Sequence, residues 1–313
     1  MLKCSYITEN GKQCQRRLNS QFFGGPPQFC WQHQPIQSLI NQQKQIFRQK
    51  QPLIIDYQKE ENEYLIRKLI CNQRVAPHIY YQQIGNITII RDDLLCGGTK
   101  SRLIPSILET YSQYDEFVYV CPWYGAAQIA LATQIQHYNR THLTNKKVIL
   151  FANTTPYDYP YMTLAKQFGA VYYYSEKKRS MAQKYVNQHP NAILLPAGLD
   201  LPIVRKQLHQ MGTLIRQKLG QFDEFYYACG SGTLVRCLQN SGLALKYFAI
   251  GVTTRNPEIG KAVIYYHNQS FDDIVEDSHK PPFNSAIHYD AKAWQYAFNQ
   301  FGTNKKIIFW NVF

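Results

Sequence analysis

Ile87 to Ile107 reads ITIIRDDLLCGGTKSRLIPSI, and this stretch decides the fold. Its opening run, Ile87-Thr88-Ile89-Ile90, is β-branched throughout and predicts a buried strand. Arg91, Asp92 and Asp93 end the run with charge. Gly97-Gly98 then allow backbone conformations that other residues resist. Lys100 follows at once, ahead of a helical pattern that puts Leu103, Ile104, Ile107 and Leu108 on one side. A lysine at a glycine turn and a helix N-terminus is an unusual structural cation, because the helix dipole disfavours positive charge there by roughly 0.3–1 kcal/mol. The same field lowers the amine's pKa, which suits a nucleophile that forms Schiff bases. A solvated surface lysine is the alternative for this motif taken alone.

Working outward, strands and helices alternate from Val75 to the C-terminus. Strands are expected at Glu116–Cys121, Lys147–Ala152, Ala170–Tyr174, Ala192–Leu195, Glu224–Ala228, Tyr247–Val252 and Lys306–Val312. Helices are expected at Gly125–His137, Tyr161–Phe168, Asp200–Leu219 and Asp290–Gln300, with one more opening after Gly232 and running through Leu234. Such alternation predicts an α/β fold of parallel sheets covered by helices. It places an α/β domain at 76–313.

Two further stretches carry chemistry. Tyr227-Ala-Cys-Gly-Ser-Gly-Thr-Leu234 is a strand, a glycine turn with small hydroxyl residues, then a helix. That arrangement points free N–H groups at one spot and makes an anion site, usually for phosphate. It lacks the lysine of a P-loop and the GxGxxG of a dinucleotide fold. Ser285–Trp294 (SAIHYDAKAW) puts Tyr289 and Asp290 at the start of the last helix. An N-cap is the structural alternative for Asp290.

The N-terminal segments differ in kind. Within residues 1–36, Cys4, Cys14, Cys30 and His33 are candidate ligands for a structural Zn²⁺, which can fold a segment too small for its own core. The segment resembles the small Cys/His modules that end in FCxxH. Arg16 and Arg17 leave a protein or nucleic-acid partner open. Residues 37–75 are rich in Gln, Lys and Glu and read as two linking helices broken near Pro52.

The chain has 313 residues, is 45% hydrophobic and carries a formal net charge of +13, so a sizeable core is expected. The positive excess is spread along the chain rather than packed into one basic arm. No run approaches the ~20 apolar residues of a membrane span, and no secretory leader is visible. A cytoplasmic protein without a membrane partner is expected, its eight cysteines read as thiols or metal ligands.

A reactive lysine, a phosphate cradle far along the chain and a late acid together suggest pyridoxal 5'-phosphate. Their order also resembles a family. RDDLLCGGTKSRLIPSIL (91–108) is similar to the KR(D/E)D…GGNK-x-RK segment of the fold-type II pyridoxal-phosphate enzymes, the tryptophan synthase beta-like superfamily. The branch it looks closest to is 1-aminocyclopropane-1-carboxylate deaminase and D-cysteine desulfhydrase. FDEFYYACGSGTLVRCL (222–238) resembles their phosphate loop. LAKQFGAVYYY (164–174), ILLPAG (193–198) and YDAKAW (289–294) follow in the family's order.

The resemblance implies that Lys100 is the Schiff-base lysine and that Gly230, Ser231, Gly232 and Thr233 bind the phosphate. Asp290 falls where the deaminases place an acid against the pyridine nitrogen, and Tyr289 where they hold a tyrosine near the substrate. One segment departs from the family. Its Ser-Asn-His is replaced by Cys121-Pro122-Trp123-Tyr124-Gly125-Ala126, where Tyr124 can stand in against the cofactor. The expected function is therefore lyase or deaminase chemistry on a small amino acid. A catalytically inactive binding or regulatory relative, and a zinc-module adaptor, are the alternatives. A homodimer is left open.

Overall fold

Buried strands in this chain read as near-continuous apolar runs, the pattern of parallel sheets covered on both faces. The structure, a computed structural model, describes residues 78–155, 159–253, 256–271 and 273–313. Cys4, Cys14, Cys30, His33 and the expected helices of 37–75 lie outside the described residues. Residues 78–153 and 159–313 belong to one unit. Among the described residues, no helix is long and apolar enough to cross a membrane.

One sheet has six strands. They are β1 (Tyr81–Ile84), β2 (Ile87–Arg91), β7 (Phe222–Cys229), β8 (Ala244–Gly251), β9 (Val263–Tyr266) and β10 (Ile307–Asn311), in the order β1-β2-β10-β7-β8-β9. Every pairing in it is parallel except the β1–β2 hairpin. The second sheet has β3 (Glu116–Val120), β4 (Lys147–Ala152), β5 (Val171–Tyr174) and β6 (Ala192–Leu195), all parallel, in the order β5-β4-β3-β6. The parallel α/β architecture is thus the expected one.

The helices are α1 (Ile104–Thr110), α2 (Ala126–His142), α3 (Pro160–Gln167), α4 (Lys178–Gln188), α5 (Pro202–Leu219), α6 (Thr233–Leu238) and α7 (Asp290–Phe298). Side-chain alternation along β7 explains how two of them are held. Phe225, Tyr227 and Cys229 pack with Ile215 of α5 and Val235 and Leu238 of α6. Tyr226 and Ala228 point the other way, into Ala293, Trp294 and Ala297 of α7. In the four-stranded sheet, Phe117, Tyr119 and Cys121 pack against Ala127, Ala130 and Leu131 of α2.

β1, α4 and β9 lie outside the sequence expectations. β1 (YQQI) and β9 (VIYY) are short edge strands whose side chains are exposed or half-buried, so neither shows the apolar contrast that marks a strand. Helix α4 is mostly polar, with Met181, Ala182 and Tyr185 as its buried stripe.

The charges after β2 also do more than end a strand. Asp92 and Asp93 are buried. Arg102 grips Asp92 Oδ1 through Nε at 2.9 Å and Nη2 at 2.7 Å. Trp310 of β10 donates from Nε1 to both Asp92 Oδ2 and Thr99 Oγ1. The loop carrying Lys100 is therefore clamped at both ends to the core.

Candidate active site

In a parallel sheet the backbone groups at the carboxyl ends of the strands are open to ligands, and crevices form there. Six such ends meet in one cleft here. The segments after β2, β3, β6, β7, β8 and β10 supply Lys100, Tyr124, Gly198, Ser231, Thr253 and Phe313 respectively. The cleft encloses about 1250 Å³ of space, solvent at its mouth included.

Lys100 is held there by close backbone packing. It lies in a short 3-10 helix, Gly98–Arg102, entered through Gly97 at φ 85°. A Cβ on Gly97 would come within 2.4 Å of Ala130 in α2, and one on Gly98 (φ 66°) within 2.0 Å of the Val312 carbonyl. Thr99 N–H donates to that same carbonyl at 2.9 Å. Glycines are thus required for α2 and the C-terminal strand to approach the turn.

Burial lowers the Lys100 amine below its ordinary value, and the charge of Asp290 pulls in the opposite direction. The lowering expected from the sequence is present, with loss of water as its largest cause. A lysine that loses its proton more readily is a better nucleophile. The thiols are the reverse case. Burial pushes Cys121 up to about 12 and Cys229 and Cys237 to about 11, so they stay protonated and unreactive at neutral pH.

The 230–233 turn lines the same cleft as Lys100. It leaves the central strand β7 and opens α6, as expected. Its Ser231 Oγ donates to Thr233 Oγ1 at 3.1 Å. Gly198, after β6, faces this pair: a Cβ there (φ 72°) would lie 2.4 Å from Ser231 Oγ and 2.6 Å from Thr233 Oγ1. Three glycines and two hydroxyls, drawn from both sheets, thus form a shallow cradle.

Tyr289, the residue before α7, reaches this cradle: a Cβ on Gly230 would lie 2.9 Å from its hydroxyl. Asp290 is the first residue of α7 and does not cap it through its side chain. It is fully buried, and its Oδ2 accepts the N–H of Phe313 at 2.9 Å. Phe313 in turn lines the cleft. Asp290 therefore acts on the site through its charge on Lys100 and through the position of the C-terminal residue.

Tyr124 lines the cleft with its ring stacked on Phe271, centroids 3.9 Å apart. Trp123 stacks on Tyr159 at the same spacing. Sequence reasoning missed Phe271, His288 and Phe313. His288 sits within the quoted SAIHYDAKAW and could have been found there. Phe271 lies in a loop with no periodicity to mark it.

No protein-family profile matches the chain, and no curated protein matches it. Solved structures do. An ACC deaminase homologue superposes with a TM-score of 0.60 at 14% identity, covering 80% of this chain and 94% of the other. A hydrogen sulfide-producing enzyme from Fusobacterium nucleatum gives 0.57 at 12%, covering 75% and 94%. A pyridoxal 5'-phosphate-dependent aspartate racemase gives 0.51 at 10%, covering 84% and 96%. The likeness is one of fold, and the fold is the fold-type II architecture that the resemblance implied.

Proposed function

We propose that this chain is a pyridoxal-phosphate-dependent enzyme acting on an amino acid, of lyase or deaminase type. The observation that carries the reading is the meeting of the Lys100 amine and the 230–233 turn in one cleft. The residues fit the group. Gly198 and Gly230 keep the cradle free of side chains, Gly232 lets the turn pass against the Glu258 backbone at a positive φ, and Ser231 and Thr233 supply hydroxyls for a phosphate. A lysine with a lowered pKa lines the same cleft.

When bound, the cofactor supplies an aldehyde for an amine and a ring that withdraws electrons from the substrate's α-carbon. Lys100 is the amine that would hold the aldehyde, and its nitrogen would be the group that takes or returns a proton at the substrate's α-carbon. Its desolvated nitrogen favours the neutral form that accepts a proton. Tyr289, with its hydroxyl against Gly230, would bear on both the phosphate and the substrate. Asp290, from behind the C-terminal residue, keeps negative charge near the site.

Adding pyridoxal phosphate to the purified full chain should give a visible absorbance band. Borohydride should bleach it and leave the cofactor covalently on the Lys100 peptide. Label on another lysine, or no band, would end this reading. Release of ammonia or sulfide from D-cysteine, or ammonia from 1-aminocyclopropane-1-carboxylate, then tests the reaction class. The aromatic 123–124 segment favours a second reading, a scaffold that binds without turnover, which loading without any product release would support. The zinc module is a separate proposal: metal analysis of the full chain should find zinc, lost on Cys30→Ser.

A further inference from the structure

We propose that the cleft is built for an amino acid with an aromatic side chain, its ring resting on Trp123, Tyr124 and Phe271. The inference deepens the amino-acid reading above and rests on it.

Trp123, Tyr124 and Phe271 line this cleft together and remain only partly buried, as do His288 and Tyr289. They brace one another: Trp123 stands edge-on to Tyr124 (4.8 Å, 87°) and to Phe271 (6.1 Å, 83°), while Tyr124 and Phe271 stack. Tyr159 stacks on Trp123 and fixes its plane at 21°. Offset and edge-to-face contacts are the arrangements aromatic rings prefer, so a further ring finds a ready-made partner set. A small polar substrate would leave this apolar wall wet, whereas an aromatic one covers it.

Phe271 lies on a loop, yet it is fastened. Lys292 of α7 is fully buried, and its ammonium donates to the carbonyls of Ser270 (2.5 Å) and Phe271 (3.2 Å). The same ammonium lies 5.8 Å from the Phe271 ring centroid. Burying an ammonium is costly unless backbone acceptors surround it. Its position two residues after Asp290 ties the aromatic wall to the helix that Tyr289 immediately precedes. Charge narrows the class further: among the described residues, no Asp, Glu or Arg side chain lines the cleft. Among those residues a basic side chain would find no carboxylate, and an acidic one would find Lys100 and the His288 imidazole.

The test titrates the full chain, with and without pyridoxal phosphate, by calorimetry. The probes are both enantiomers of phenylalanine, tyrosine, alanine, serine and lysine. Phenylalanine or tyrosine should bind at least about tenfold tighter than alanine or serine, equivalent to roughly 1.4 kcal/mol. Phe271→Ala should erase that preference. If Phe271→Ala fails to fold, Trp123→Leu takes its place, and the wild-type panel decides by itself. Equal or tighter binding of the small or charged amino acids overturns the proposal, as does binding of none. A preference unchanged in the folded variant removes these rings from the role. Cofactor loading at Lys100 without an aromatic preference sinks this inference alone. Absence of loading sinks the cofactor reading, and that outcome is read by borohydride labelling rather than by the panel.

Discussion

Two turns in this protein occupy the same topological position and have opposite chemistry. One follows β7 and is Gly230-Ser231-Gly232-Thr233; the other follows β3 and is Pro122-Trp123-Tyr124-Gly125. Each leaves the carboxyl end of a parallel strand, opens a helix and lines the same cleft. The first is stripped to glycine and small hydroxyls, so it offers backbone and oxygen atoms to the cleft. The second presents two large rings. The fold decides where a ligand meets the chain, and the side chains at each turn decide what it meets.

The largest expected effect strikes the loop that brings Lys100 to the cleft shared by both turns. Arg102→Met leaves the buried Asp92 carboxylate without its guanidinium, a loss of about 3–5 kcal/mol. Urea denaturation should show the drop, and cofactor loading at Lys100 should fall with it, because the same loop carries both. Unchanged stability would mean that the clamp does not hold the turn.

Gly198→Ala comes next. It places a Cβ against Ser231 and Thr233 at a positive φ, costing on the order of 1–3 kcal/mol. Pyridoxal-phosphate loading should be lost even in molecules that remain folded. Retained loading would detach the cradle from phosphate.

Asp290→Asn tests the charge between the two sides. Asp290 raises the Lys100 pKa, so the variant should titrate Lys100 at a still lower pH, read from the pH dependence of its chemical labelling. A companion measurement concerns stability. Because burial holds Lys100 below its ordinary 10.5, the unfolded chain binds the extra proton between the two values, and stability rises with pH across that window. Lys100→Met should therefore stabilise the protein most at pH below the lowered value, and the gain should shrink as pH approaches 10.5. A gain that is flat with pH would refute the buried-charge account.

The smallest effect belongs to the aromatic turn. Trp123→Leu gives up the stack on Tyr159, about 1 kcal/mol, and should leave cofactor loading unchanged. Loss of loading in this variant would merge two sides that are here assigned different tasks.

Much of this was legible in the residues themselves. Ile87–Ile90, Lys147–Ala152 and Glu224–Ala228 announced buried parallel strands, because covered sheets demand continuous apolar runs. Gly97-Gly98 before Lys100, and the glycines around Ser231, announced turns that need open backbone. Chain order then joined lysine, cradle and acid into one reading. These features are local, and short-range sterics and burial patterns write them directly into sequence.

Tertiary structure alone decided the rest. That Asp92 and Asp93 are buried partners rather than a charged strand end depends on Arg102, Arg91 and Trp310. That Lys100 loses its proton early depends on water being excluded by segments far along the chain, a desolvation no local spacing records. Asp290 turns from a plausible helix cap into a buried acceptor because the C-terminal Phe313 comes back to meet it. Phe271 stacks on Tyr124 while Lys292, on a later helix, binds its carbonyl. Sequence encodes the strands and turns one neighbourhood at a time, whereas the charge and shape of the cleft arise where strand ends from two sheets converge.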